Sequence, residues 1–159
     1  MERSMNILIS GGGTGGHLYP ALAIGDEIMF RHPLANIHYV GSKFGIEKEV
    51  LPVKNVNQSL LSIRWFQRSL NLGSIGKNLL LPGRLIASIG KIKSLFDSLQ
   101  PDLVIGTGGY ACALPLREAF RIGVPTLIQE QNSYPGMTTR WFADKANKVC
   151  IAFEEAQSY

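Results

Sequence analysis

Cysteine is nearly missing from this chain. Only Cys112 and Cys150 occur, both on segments that read as core, so reduced, buried thiols are expected rather than a disulfide. Metal ligands are as scarce: those two thiols with His17, His32 and His38 supply too few groups to converge on one ion, and neither a metal nor any other cofactor is expected. Long apolar runs are missing too, since the richest stretch, Leu79 to Leu81, stops at Pro82-Gly83, far short of the roughly 18 to 20 residues of a membrane span. The opening MERSMNILIS has too short an apolar run for a secretory signal and leads straight into a strand, which predicts an uncleaved cytosolic start. Acid is absent from Val50 through Phe96, where Lys54, Arg64, Arg68, Lys77, Arg84, Lys91 and Lys93 stand alone. The rest of the chain is slightly acidic, so the whole basic excess sits in the middle third.

What is present is enough for one domain. The 159 residues are 45% hydrophobic and fall within the roughly 100 to 200 residues of a typical domain. Short apolar strands are predicted at Asn6 to Ser10, Ile37 to Val40, Leu103 to Ile105, Thr126 to Ile128 and Val149 to Ala152. Helical spacing lies between them: Ala21, Ile24 and Ile28 on a segment ending at His32-Pro33, and Leu85, Ile89, Ile92, Phe96 and Leu99 between Pro82 and Gln100-Pro101. Strands alternating with helices at this spacing predict an α/β fold, a doubly wound parallel sheet of Rossmann type. Asn55 to Pro82 reads as an irregular excursion carrying one short helix or strand. The stop at Tyr159, just after a strand and without a capping helix, gives the expectation of a fragment: one domain over residues 1–159, with a second domain elsewhere.

Ligands of such sheets bind where strands end, and that is where glycines cluster. Gly11-Gly12-Gly13-Thr14-Gly15-Gly16-His17 follows the first strand and opens a helix. Glycine lets backbone approach a ligand closely, and the free amides and positive dipole end of a helix favour a phosphate. A diphosphate is the natural ligand; a bare strand-to-helix turn is the structural alternative. A second loop, Gly106-Thr107-Gly108-Gly109-Tyr110, precedes the helical run Ala111 to Arg121, and the two together would form a double-walled amide cradle. Nicotinamide binding is disfavoured, because Gly41-Ser42-Lys43 stands where an acid should hold the ribose hydroxyls. A nucleoside-triphosphate loop is excluded by Gly16-His17-Leu18, which lacks the lysine. A polar block, Gln129-Glu130-Gln131-Asn132, closes the fourth of these strands, where capping or a solvated loop would equally suit it.

GGTGGH at 12–17 followed by Pro20, PDLVIGTGGY at 101–110, and QEQN at 129–132 followed by Pro135-Gly136 and Lys148-Val149 together resemble the N-terminal domain of the MurG family over nearly the whole chain. The resemblance implies the N-terminal half of a two-domain GT-B glycosyltransferase. Such an enzyme moves N-acetylglucosamine from UDP-N-acetylglucosamine to lipid I, an undecaprenyl-pyrophosphoryl muramyl pentapeptide, to give lipid II, with inversion and without metal. It implies that Gly13, Thr14, Gly15 and Gly16, with Gly108, Gly109 and Tyr110, meet the acceptor diphosphate, and that Glu130 and Gln131 shape that side of the cleft. Thr14, Gly15, Gly16 and Asn132 are implied to reach the donor sugar. His17 is the implied general base, an imidazole being suited to accept a proton near neutral pH; orienting the loop is its other possible role. This chain has Cys112-Ala113-Leu114 where many members have Ser-Gly-Pro, and Gln129 where many have histidine.

The basic middle third fits a peripheral enzyme at an anionic bilayer. Trp65, Phe66, Ile75, Leu79, Leu80 and Leu81 offer apolar insertion and Lys77 and Arg84 offer charge, each basic residue near the surface being worth about 1 kcal/mol. Ordinary core and a solvated face are the plain alternative. Nothing resembles a nucleic-acid motif, and no nucleic-acid partner is expected. The partners implied are the donor, lipid I, an anionic membrane surface and the protein's own C-terminal domain, at the cytoplasmic face of the bacterial plasma membrane. Two other functions stay open: a non-catalytic membrane-recruiting acceptor subunit, and a related glycolipid glycosyltransferase.

Overall fold

The computed structural model describes residues 4–63 and 81–159. Its strands are β1 (Asn6–Ser10), β2 (Asn36–Ser42), β3 (Gln58–Leu61), β4 (Leu103–Gly106), β5 (Thr126–Glu130) and β6 (Lys148–Ile151). They form one sheet in the order β3-β2-β1-β4-β5-β6, every neighbouring pair parallel. The helices are α1 (Gly15–Arg31), α2 (Glu47–Val53), α3 (Leu81–Leu99), α4 (Ala113–Ile122) and α5 (Met137–Phe142).

Strand pleat assigns the two cores. Leu8, Val40, Val104 and Ile128 point to the face covered by α3 and α4, where Ile92, Phe96, Leu116 and Ala119 meet them. Ile7, Ile9, Ile37, Tyr39 and Ile105 point the other way, against Leu18, Ala21 and Leu22 of α1 and Leu51 of α2. Both faces of the sheet are thus buried, as a parallel sheet requires. The chain winds outward from β1 to β2 and β3, then returns to β4 on the opposite side. Strand order reverses between β1 and β4, and ligands of doubly wound sheets bind in the crevice at such a point.

The parallel sheet and its long helices follow the sequence reading. α3 begins beside Pro82, tolerated there because first-turn amides have no helical acceptor to lose, and ends before Gln100, whose φ of 46° is left-handed. Three elements had no clear pattern. β3 is a short strand inside the stretch expected to carry one short helix or strand, and its four residues, Gln-Ser-Leu-Leu, carry too little alternation to place it more closely. α2 and α5 are about two turns or less and show no apolar period. One expectation is corrected: Cys112 is buried, but Cys150 is exposed, because β6 is the sheet's edge and Lys148, Cys150 and Ile151 on it face solvent.

Candidate active site

The loops after β1, β4 and β5 meet at the carboxyl end of the sheet, beside the switch point. The first and second are interlocked. Gly109 has φ 75°, and a side-chain carbon there would fall 2.0 Å from the Gly12 carbonyl oxygen; Gly108 has φ 99°, and one there would fall 2.6 Å from His17 Nδ1. Only glycine meets both demands, of handedness and of space. Thr107 extends the link, its amide donating to the Ser10 carbonyl (2.9 Å) and its hydroxyl to the His17 carbonyl (2.7 Å). The two loops therefore pack directly on each other.

Gly15 and Gly16 occupy the first turn of α1, where amides lack helical acceptors. Thr14 precedes them in extended conformation, exposed, with a hydroxyl that makes no capping bond. These groups present donors to an anion at the positive end of a 17-residue helix. The Gly13 amide is committed elsewhere: it donates to both carboxylate oxygens of Glu47, at 2.9 and 3.0 Å.

Glu47 is a residue the sequence reading missed. It is fully buried, also accepts the Ser42 amide at 2.8 Å, and fills the space that side chains on Gly12, Gly41 and Gly45 would need. The readable signal was Gly41 and Gly45 shortly before an acid that follows the end of β2. Glu47 is thus turned beneath the first loop, not toward a ribose. Ser42 carries the bracing onward: its hydroxyl donates to the Ile63 carbonyl (2.7 Å) and accepts from the Tyr110 hydroxyl (3.3 Å). Tyr110 also lies against Gly13, where an added side-chain carbon would be 2.8 Å from its ring. Tyr110 thus holds the first loop in place from the second.

The third loop brings Gln131 to His17, its side-chain amide 2.7 Å from Nδ1. The Thr107 carbonyl oxygen lies 3.0 Å from the same nitrogen, and Nε2 makes no hydrogen bond to any described residue. Glu130 is buried behind this loop. It accepts the Asn132 amide (3.0 Å) and side chain (2.8 Å), the Gly136 amide (2.9 Å) and the Thr139 hydroxyl (2.6 Å). Burial pushes its carboxyl up, but the Thr139, Gly136 and Asn132 donors outweigh that and hold it below the usual glutamate range. Glu130 therefore shapes the cleft by fixing Asn132, which is exposed and whose Oδ1 has no hydrogen-bond partner among the described residues. Thr138 ties the third loop to the second through the Gly109 carbonyl at 3.0 Å.

All the expected residues of the glycine loops and the QEQN block thus gather in one place. Among the described residues no set of histidine, cysteine, aspartate or glutamate is arranged to hold a metal. Of the expected membrane patch, Trp65, Phe66, Ile75, Lys77, Leu79 and Leu80 and the side chain of Leu81 lie outside the described residues. Arg84 is on the first turns of α3, its guanidinium 5.3 Å from the Phe44 ring centre. No helix among the described residues is long and apolar enough to cross a membrane.

Comparison with known proteins places these features in a group. Residues 7–151 match the family described as glycosyltransferase family 28 N-terminal domain. A protein of Bacillus subtilis named UDP-N-acetylglucosamine--N-acetylmuramyl-(pentapeptide) pyrophosphoryl-undecaprenol N-acetylglucosamine transferase is 42% identical over 155 residues, covering 98% of this chain and 42% of that protein. The protein of the same name from Christiangramia forsetii is 42% identical over 157 residues, covering 99% of this chain and 42% of its own length. The chain therefore spans about two fifths of the curated relatives it matches. The crystal structure of Acinetobacter baumannii MurG shares the fold, with a TM-score of 0.76 at 24% identity over 96% of this chain and 42% of that one.

Proposed function

For a chain that belongs to the glycosyltransferase family 28 N-terminal domain family, we propose the role of acceptor-side half of an enzyme that transfers N-acetylglucosamine from UDP-N-acetylglucosamine to lipid I. The observation that carries this is the meeting of His17, the open first turn of α1 and Asn132 at the switch point of the sheet. The names of the relatives supply the donor and acceptor.

In the transfer, the acceptor sugar hydroxyl gives its proton to His17 Nε2 as its oxygen bonds to the anomeric carbon of the donor. The bond from that carbon to the UDP oxygen breaks on the opposite face, and UDP leaves with the electron pair, so configuration inverts. The amides of Gly15 and Gly16 and the Thr14 hydroxyl hold diphosphate oxygens, and Asn132 Oδ1 accepts from the donor sugar. Positioning of this kind, with the base in hydrogen-bond reach, accounts for factors of roughly 10² to 10⁴ in rate. The donor's nucleoside is read by the C-terminal domain, which closes over these loops.

The enzyme works at the cytoplasmic face of the plasma membrane as a peripheral protein, with the segment around Leu79 to Leu81 and its flanking bases against anionic lipid. Two measurements test the reading. Labelled N-acetylglucosamine should pass to a lipid I analogue with the full-length protein and not with residues 1–159 alone; no transfer by the full-length protein would refute it. In sedimentation with anionic liposomes, binding that survives replacement of Leu79 to Leu81 by serine would refute the membrane part.

A further inference from the structure

His17 faces two groups with conflicting demands on one nitrogen. The Thr107 carbonyl, 3.0 Å from Nδ1, can only accept, so it requires that Nδ1 carry the hydrogen. The Gln131 side-chain amide, 2.7 Å from Nδ1, meets it through its nitrogen, which can only donate, while the amide oxygen is buried without a partner. The two ends of that amide exchange by a half-turn about its terminal bond, but the carbonyl cannot adapt. Thr107 is pinned by its own amide on Ser10 and its hydroxyl on His17, and it is fully buried. The movable partner must yield to the fixed one.

We infer that Gln131 is a positioning residue: it turns its amide oxygen to His17, and with the Thr107 carbonyl it holds the imidazole as the tautomer with hydrogen on Nδ1. Nε2 is then left with its lone pair, as a base must be. The opposite arrangement, in which Gln131 donates to Nδ1, would put the hydrogen on Nε2 and leave a donor facing the substrate. The fixed Thr107 carbonyl and the Gln131 amide turned to match it thus act together to leave Nε2 as an acceptor rather than a donor. The catalytic meaning rests on the transfer proposed above; the tautomer itself does not.

The test uses the chain with ¹⁵N-labelled histidine at about pH 8.5, roughly two units above an ordinary imidazole, with His17→Gln to identify the His17 signals. Long-range ¹H–¹⁵N correlations distinguish a protonated Nδ1 from a protonated Nε2. The expected result is protonated Nδ1 in the unsubstituted chain, retained in Gln131→Glu, whose carboxylate can only accept, and eroded toward a mixture in Gln131→Met. Protonated Nε2 in the unsubstituted chain would overturn the inference. A change of tautomer in Gln131→Glu would do so as well, since it would show that the native amide donates. So would an unaltered pattern in Gln131→Met, which would assign the tautomer to Thr107 alone. Because no substrate is present, a full-length enzyme that fails to transfer would refute the proposed activity without touching this result.

Discussion

Behind the first loop lies Glu47 and behind the third lies Glu130, two buried carboxylates that hold backbone amides and meet no cation among the described residues. They differ in reach. Glu130 takes its donors from Asn132, Gly136 and Thr139, all close in sequence. Glu47 takes the Gly13 amide from a loop 34 residues earlier, along with Ser42 from the end of β2. One carboxylate shapes its own loop, and the other joins two strand ends across the sheet. Damage at Glu130 should stay local, whereas damage at Glu47 should spread to the open first turn of α1.

The largest expected effect is therefore at Glu47. Replacement by alanine leaves the Gly13 and Ser42 amides without an acceptor, and at about 1–3 kcal/mol for each buried unpaired group the loss should be roughly 2–6 kcal/mol in urea unfolding of the chain. A loss below about 1 kcal/mol would mean that water or a neighbour replaces the carboxylate, and the contrast in reach would fail. Glu130→Gln ranks next, at about 1–3 kcal/mol, since the amide keeps one acceptor but turns a donor toward Gly136 or Asn132. In the full-length enzyme it should raise KM for the donor through Asn132 more than it lowers kcat.

The pH dependence of stability isolates Glu130 further. Its carboxyl titrates below the usual glutamate range in the folded chain, so the unfolded chain binds the proton more readily. The stabilisation is complete above the ordinary glutamate value and is lost as pH falls through the lower folded one. Glu130→Gln should flatten that part of the curve, from the ordinary glutamate range downward; an unchanged curve would show that Glu130 contributes nothing to it. The smallest effect belongs to the thiols. Burial pushes the Cys112 thiol up to about 12, so a thiol reagent at neutral pH should label exposed Cys150 and spare Cys112 until the chain unfolds, and Cys150→Ser should shift stability by under about 0.5 kcal/mol. Rapid labelling of both would contradict the packing around Cys112.

The same contrast explains what could be read from the sequence. Runs such as NILIS and LVIG, the glycine clusters and the QEQN block are local signals, and local signals gave the parallel sheet and the three loops. Glu47 was invisible because its meaning lies in a hydrogen bond to Gly13 that only the sheet brings about. Tyr110 and Glu130 were read as cleft residues, and what the sequence could not show is that both work from behind the loops, on Gly13 and on Asn132. Thr107 and Thr138 were missed for a similar reason, since their hydroxyls join loops from different strands. β6 read as core from its composition, and only its place at the sheet's edge exposes Cys150.

The central claim is that His17, held by the second and third loops, takes the proton from the acceptor. Its most direct test is the pH profile of kcat/KM for labelled N-acetylglucosamine transfer to a lipid I analogue by the full-length enzyme and its His17→Ala variant. The account predicts a loss of roughly 10² to 10⁴ and disappearance of the acid limb. Near-normal turnover with an unchanged profile would contradict it.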